Sequence, residues 1–244
     1  MFLNKINKYY KNMIGILGGM GTQAGLDFCN KLALINKGKM DQKYPLFILY
    51  NKSNIPKRPE NIKKYTNVLK SLINGCLLLQ KNNCKFIVMP CNTAHYWHYD
   101  LQRRIKIPIL SMPKEVYLYT KKNCKKESKI GILSTEATLK TKVYNKFFDK
   151  NYRLISPKKS SQKLYVNKAI KLVKMGKIKL AEKAIRPAVK ELIKMKCKKI
   201  ILGCTELPIA IFAYQPFKKI EKSKIFIDPN LLLAKVSMKK YRKL

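Results

Sequence analysis

The sequence predicts an α/β protein of two similar domains, each a parallel sheet flanked by helices. Three observations lead there. Short apolar runs alternate with longer stretches whose apolar residues recur at helical spacing, the pattern of strand–helix units on a parallel sheet. The run IGIL opens a strand at Ile14 and again at Ile130, each time followed by small residues. Two cysteine pairs also repeat. Cys84 and Cys91, then Cys197 and Cys204, lie seven residues apart, and the second pair is displaced by 113 positions (197 − 84 and 204 − 91). Buried strands often resemble one another, but matched cysteines at matched offsets point to two related halves.

Element by element, strands are predicted over 13–17, 46–50, 86–90, 109–112, 129–133, 200–203 and 225–227. Helices are predicted over 23–36, 63–81, 139–148, 163–174 and 180–195. The last of these carries Ala181, Ala184, Ile185, Val189, Leu192 and Ile193 at helical spacing, and Pro187 is expected to kink it. The resulting organisation is a basic tail over 1–12, a first domain over 13–111 and a second over 112–216. The segment 217–244 is expected to return to the first domain.

The 244 residues are 46% hydrophobic, enough for a sizeable core. No apolar run approaches the roughly 18 residues a membrane helix needs. The start, MFLNKINKYYKN, lacks the apolar core of a secretory signal. Seven cysteines with no C-x-x-C pair suggest neither a disulfide framework nor a zinc knuckle, so a reducing, cytoplasmic setting is expected. The net charge of +40 would attract polyanions. Its lysines are spread over nearly every segment and form no stripe, and no nucleic-acid module is present, so specific nucleic-acid binding is not predicted.

Ligands of parallel sheets sit beyond the carboxyl ends of the strands. Cys91 and Cys204 fall at two such ends, each just before a predicted helix whose free N–H groups would favour thiolate. Asn92, Thr93 and Thr205 add polar groups beside them. Cys29, Cys76, Cys84, Cys124 and Cys197 read as small core hydrophobes. Two thiols facing each other across a domain cleft could form a disulfide, which a reducing setting disfavours. They could instead move protons, one removing a proton from a carbon acid while the other delivers one, which inverts a stereocentre. His95 and His98, the two histidines, permit a zinc site or a Cys–His nucleophile, but no fourth metal ligand and no nucleophile elbow accompany them. No metal is therefore predicted. Gly18, Gly19 and Gly21 do not complete the G-x-G-x-x-G of a dinucleotide loop.

The segments IGILGGMGTQAGLDF, MPCNTAHY and ILGCTELP resemble the hallmark segments of the aspartate/glutamate racemase superfamily, in its aspartate racemase branch. The resemblance runs from Met13 to about Pro208. It implies a cofactor-independent racemase of two α/β domains, with the active site in the cleft between them, and a homodimer as the common assembly. Cys91 and Cys204 match the two catalytic bases. Arg58, in Ile55-Pro56-Lys57-Arg58-Pro59, matches the arginine that holds a substrate carboxylate, and Lys174 matches a second carboxylate ligand. Thr135 matches a substrate-contacting threonine. Met20, Asn92, Thr93, Thr205 and Glu206 complete the expected substrate site.

Some positions depart from the family pattern. Thr22 stands where proline is usual, Lys57 where an acid is usual, and Lys171 where tyrosine is common. Glu206 stands where glutamate racemases carry a histidine, and its charge should disfavour thiolate at Cys204, leaving Cys91 the more thiolate-like. The expected substrate is aspartate or a similar dicarboxylic amino acid. The alternatives are a broad-specificity or glutamate-type racemase, a related isomerase or decarboxylase, and a binding protein with a vestigial pocket.

Overall fold

The computed structural model describes residues 12–36, 40–58, 65–148, 151–212 and 224–244. All of the predicted tail except Asn12, the predicted helical residues 63 and 64, and residues 217–223 of the predicted return segment lie outside the described residues. Two compact units divide the chain. The first runs to Met112 and takes in Leu233–Leu244; the second is Pro113–Leu232.

In the first unit the strands β1 (Met13–Gly18), β2 (Leu46–Asn51) and β3 (Cys84–Val88) form a parallel sheet in the order β2-β1-β3. Helix α1 (Thr22–Ile35) follows β1, α2 (Tyr65–Lys81) precedes β3, and α3 (His98–Gln102) closes the segment after β3. The strand predicted over 109–112 shrinks to one bridge, Ile87 with Ile109. Pro108 has no N–H to offer a ladder, and Met112 already opens the next helix, with Pro113 tolerated in its first turn.

The second unit repeats the plan. After α4 (Met112–Asn123) come β4 (Lys129–Ser134), α5 (Glu136–Lys140), α6 (Asn145–Phe148) and β5 (Arg153–Ile155). A wide π-type turn over Gln162–Asn167 leads into α7 (Lys168–Lys174). Then come α8 (Ile178–Lys194), β6 (Lys199–Gly203), α9 (Leu207–Phe212), β7 (Phe226–Ile227) and α10 (Pro229–Tyr241). The sheet order is β5-β4-β6-β7, all parallel. Counting the bridge at Ile109 as a fourth position, both units order their strands second, first, third, fourth.

The predicted return of 217–244 to the first unit needs correction. β7 pairs with β6, so it belongs to the second sheet. Only from Leu233 does α10 enter the first core, where Leu233, Ala234 and Met238 pack with Ile14, Ile16, Phe28 and Leu32. The predicted helix 139–148 also differs. It is two short helices, broken where Lys142 takes a positive φ of 52°. Pro187 lies inside α8 without ending it, and the row of buried residues Ala181, Ile185, Ala188, Val189 and Leu192 runs past it. Pro187 is exposed, so its ring lies on the solvent side of α8, away from the buried row.

The cysteine repeat has a structural cause. In each unit the second residue past the helix before the third strand has a left-handed φ, Asn83 at 59° and Lys196 at 61°. Cys84 and Cys197 follow directly and press on the glycine of IGIL. A Cβ on Gly15 would stand 3.1 Å from the Leu79 Cβ and 3.2 Å from the Cys84 Sγ. One on Gly131 would stand 3.0 Å from Leu192 Cδ1 and 3.4 Å from the Cys197 Sγ. Small residues meet here so that helix and strand can approach closely. Gly15→Ala should therefore lower the unfolding free energy by about 1–3 kcal/mol. Urea unfolding reads this as a lower midpoint at unchanged slope; an unchanged midpoint would contradict the packing account.

Candidate active site

Just past the end of β3, and again past β6, lies a buried cysteine that begins no helix itself. After β3 the chain turns through Met89 and Pro90, and the Cys91 amide donates to the Met89 carbonyl at 2.7 Å. The following turn, Thr93–Trp97, is a 3-10 helix, where the sequence predicts a helix just after Cys91. Cys91, Asn92, Thr93 and His95 are all buried. His95 is held at both ring nitrogens: Nδ1 lies 2.9 Å from the Cys91 carbonyl, and Nε2 accepts from the Met112 amide at 3.1 Å. An amide can only donate, so the ring proton sits on Nδ1 and His95 is neutral. The Leu110 carbonyl, 3.4 Å from Nε2, then makes no hydrogen bond with it. Burial, followed by the charge of His98, pushes the His95 pKa down to about 4. His95 thus fixes the peptide of Cys91 and is not a metal ligand. His98 stacks on it at 5.9 Å and bonds the Ile109 carbonyl. Among the described residues no three His, Cys, Asp or Glu side chains gather as a metal site.

In the second unit, Gly203 closes β6 and Cys204, Thr205 and Glu206 lead into α9, all three buried. The Cys204 Sγ donates to Glu206 Oε2 at 2.9 Å, and Glu206 Oε1 lies 3.6 Å from the Lys174 ammonium at the end of α7. The sequence predicted a helix N-terminus that favours thiolate. Here burial raises the Cys204 pKa most and the Glu206 carboxylate adds to it, outweighing Lys174 and the Glu206 backbone N–H, which act the other way. Cys204 is held as a thiol.

The structure brings together other predicted residues in pairs. The Arg58 Nη2 donates to the Met20 carbonyl at 2.6 Å, and Nη1 to the Pro56 carbonyl at 3.2 Å. Arg58 therefore also braces the glycine loop. Gly19 in that loop has φ +85°, and a Cβ there would stand 2.2 Å from the Lys52 carbonyl carbon. The loop glycines serve a close approach of two backbone segments. Thr135 caps α5 by accepting from the Thr138 amide at 3.2 Å.

Two residues the sequence reading did not single out belong to this description. Tyr144 is fully buried, and its ionisation is suppressed by burial, by Asp228 and by Cys204. Gln162 is buried, with Nε2 bonded to the Ser134 carbonyl and to Asn167, while Oε1 has no partner. Gln162 also lines a cavity of about 450 Å³ beyond β4 and β5, together with Ser156, Pro157 and Lys163. Neither residue sits in a repeated motif. The signals in the sequence were an amide in a lysine-rich stretch and a tyrosine in an apolar helix face. Of the other cysteines, Cys76, Cys84 and Cys197 are core residues, while Cys29 and Cys124 are half-buried. Burial pushes Cys76 up to about 12 and Cys84 to about 11.

Comparison with known proteins decides the family. The model of the Asp/Glu/hydantoin racemase family matches residues 17–235. The chain belongs to that family. Over 236 residues, 94% of the chain and 98% of the relative, it is 27% identical to the broad specificity amino-acid racemase RacX of Bacillus subtilis. The Picrophilus torridus aspartate racemase superposes with a TM-score of 0.80 at 28% identity, covering 94% of each chain. The glutamate racemase of Thermus thermophilus shares the fold at a TM-score of 0.67 and 19% identity, over 96% of this chain and 82% of that one. The Asp/Glu racemase family member described here is thus an isomerase, an amino-acid racemase of the α/β type. No described helix is long and apolar enough to cross a membrane.

The His95 ring yields a pH prediction. Its folded pKa lies near 4, below the ordinary 6.5. The unfolded chain therefore binds more protons between these values, and stability is fully present above pH 6.5 and falls as pH drops toward 4. The loss should be about 3 kcal/mol. Urea unfolding at pH 7 and pH 4 measures it, and His95→Gln should flatten that dependence; an equally steep dependence in the variant would contradict the assignment.

Proposed function

We propose that this racemase interconverts L- and D-aspartate without a cofactor, by two-base proton transfer between Cys91, Cys204 and the substrate α-carbon. The observation that carries the reading is the placement of the two thiols. Each is buried at the carboxyl end of the third strand of its unit, and the two units share one strand order. The likeness to an aspartate racemase over 94% of the chain supports aspartate as substrate. Arg58 and Lys174 hold the two carboxylates, and Asn92, Thr93, Thr135, Thr205 and the Met20 loop supply the remaining polar contacts. The assembly in this reading is a homodimer, which sedimentation of the full chain would test.

A second reading, a broad-specificity racemase, is favoured by the full-length likeness to RacX. A chiral assay over a panel of amino acids separates the two. Aspartate should racemise and alanine should turn over poorly, since it lacks a second carboxylate. Equal rates for alanine and aspartate would move the assignment to broad specificity, and no turnover of any amino acid by folded protein would sink both readings. Arg58→Ala should lose about 2–5 kcal/mol of transition-state stabilisation, as expected when a desolvated charge loses its partner, read as a fall in kcat/KM for aspartate.

The thiols give a sharper test. Cys91→Ser and Cys204→Ser should each nearly abolish racemisation, because inversion needs an acid and a base together. Each variant should still exchange the α-proton of one enantiomer with heavy water, and the two should select opposite enantiomers by NMR. Substantial racemisation by either variant would reject two-base chemistry. Cys91 and Cys204 are equally exposed, at 6% each. Cys204 should nonetheless be the slower to react with iodoacetamide at neutral pH, because burial and Glu206 keep it protonated.

A further inference from the structure

We propose that Glu206 accepts the thiol proton of Cys204 whenever Cys204 acts as the base. The inference rests on the racemase reading above and adds to it the origin of the second thiolate. Its basis is geometric. The Cys204 Sγ already donates to Glu206 Oε2 at 2.9 Å, and the other carboxylate oxygen lies 3.6 Å from Lys174 Nζ. Glu206 is 3% exposed, and its Oε2 is an acceptor within hydrogen-bond reach of that proton. Near this pair are also the Thr205 hydroxyl, 3.4 Å from Oε2, and Tyr144, whose ionisation is opposed by burial, then by Asp228 and Cys204.

A cysteine that must take a proton but rests as a thiol has to send its own proton somewhere. In the proposed step the S–H bond breaks, the electron pair stays on sulfur, and an O–H bond forms at Oε2. The group made of Cys204, Glu206 and Lys174 keeps the same net charge, so no new charge is created in a buried place. The Glu206 backbone N–H and Lys174 then favour the thiolate, as both already do in the resting protein. The thiolate takes the α-proton while Cys91 delivers one to the opposite face. After product leaves, Glu206 returns its proton to solvent and Cys91 recovers one. Glu206 acts through Cys204 and is a positioning residue in that sense.

The competing role is a passive negative charge that only keeps Cys204 protonated as the acid. The two roles predict opposite effects of Glu206→Gln. The experiment follows α-proton exchange of L- and D-aspartate in heavy water by NMR across pH, for wild type, Glu206→Gln and Glu206→Asp. The pH dependence of Cys204 alkylation is measured alongside in a Cys91→Ser background. If Glu206 accepts the proton, Glu206→Gln slows exchange of the enantiomer served by Cys204 by about 100-fold or more. Exchange of the other enantiomer stays within a few fold, and Glu206→Asp recovers part of the loss. Alkylation of Cys204 in the Gln variant shifts to lower pH, showing that the thiol itself has not become harder to ionise. Unchanged or faster exchange in Glu206→Gln would overturn the proposal, as would equal loss for both enantiomers. Wild type that exchanges neither enantiomer would overturn the racemase reading itself, a result distinct from either of those.

Discussion

Everything in each unit hangs on how closely a helix can approach the first strand. Gly15 and Gly131 leave room for Leu79 with Cys84, and for Leu192 with Cys197. With a larger side chain the helix would have to give way by a few tenths of an ångström, which loosens the seat of the third strand against the first. That register brings Val88 and Gly203 to the end of their sheets, so the next few residues emerge at the carboxyl edge where ligands bind. The cysteines that pack and the cysteines proposed to react are thus parts of one device: the first of each pair fits the helix to the strand, and the second stands where that fit delivers the chain.

The two cysteines are equally exposed, but their neighbours differ. Beside Cys91 the close ionisable side chain is a histidine whose two nitrogens are spent on backbone groups. Beside Cys204 it is a carboxylate that accepts from the thiol and faces a lysine. Two sheets of one topology therefore present chemically unlike surroundings to the two thiols.

Much of the fold was legible in the sequence. β1, β3, β4 and β6 carry the buried apolar runs that doubly covered parallel strands need, β2 is a half-exposed apolar run at the edge of its sheet, and α8 shows its buried stripe at helical spacing. What escaped lacks a periodic signal. β5 has three residues, and α4 and α10 mix lysines with apolar residues on faces that only the tertiary fold defines. In the site, the cysteines were legible because they repeat. The bond from Cys204 to Glu206 follows from two residues in sequence, and its sign was readable there. The bracing of Met20 by Arg58 and the approach of Gln162 to Ser134 join segments far apart in the chain, and no local pattern announces them.

The locked His95 ring has a consequence for anyone reading the kinetics of this protein. An imidazole that ordinarily gains charge in the middle of the physiological range is here uncharged until about pH 4. The neighbourhood of Cys91 is therefore electrostatically constant, as far as this ring is concerned, over the interval in which enzymes are usually assayed. A bend in a pH–rate profile between pH 5 and pH 8 belongs to some other group, and the residue most often credited with such bends is, in this fold, a silent strut.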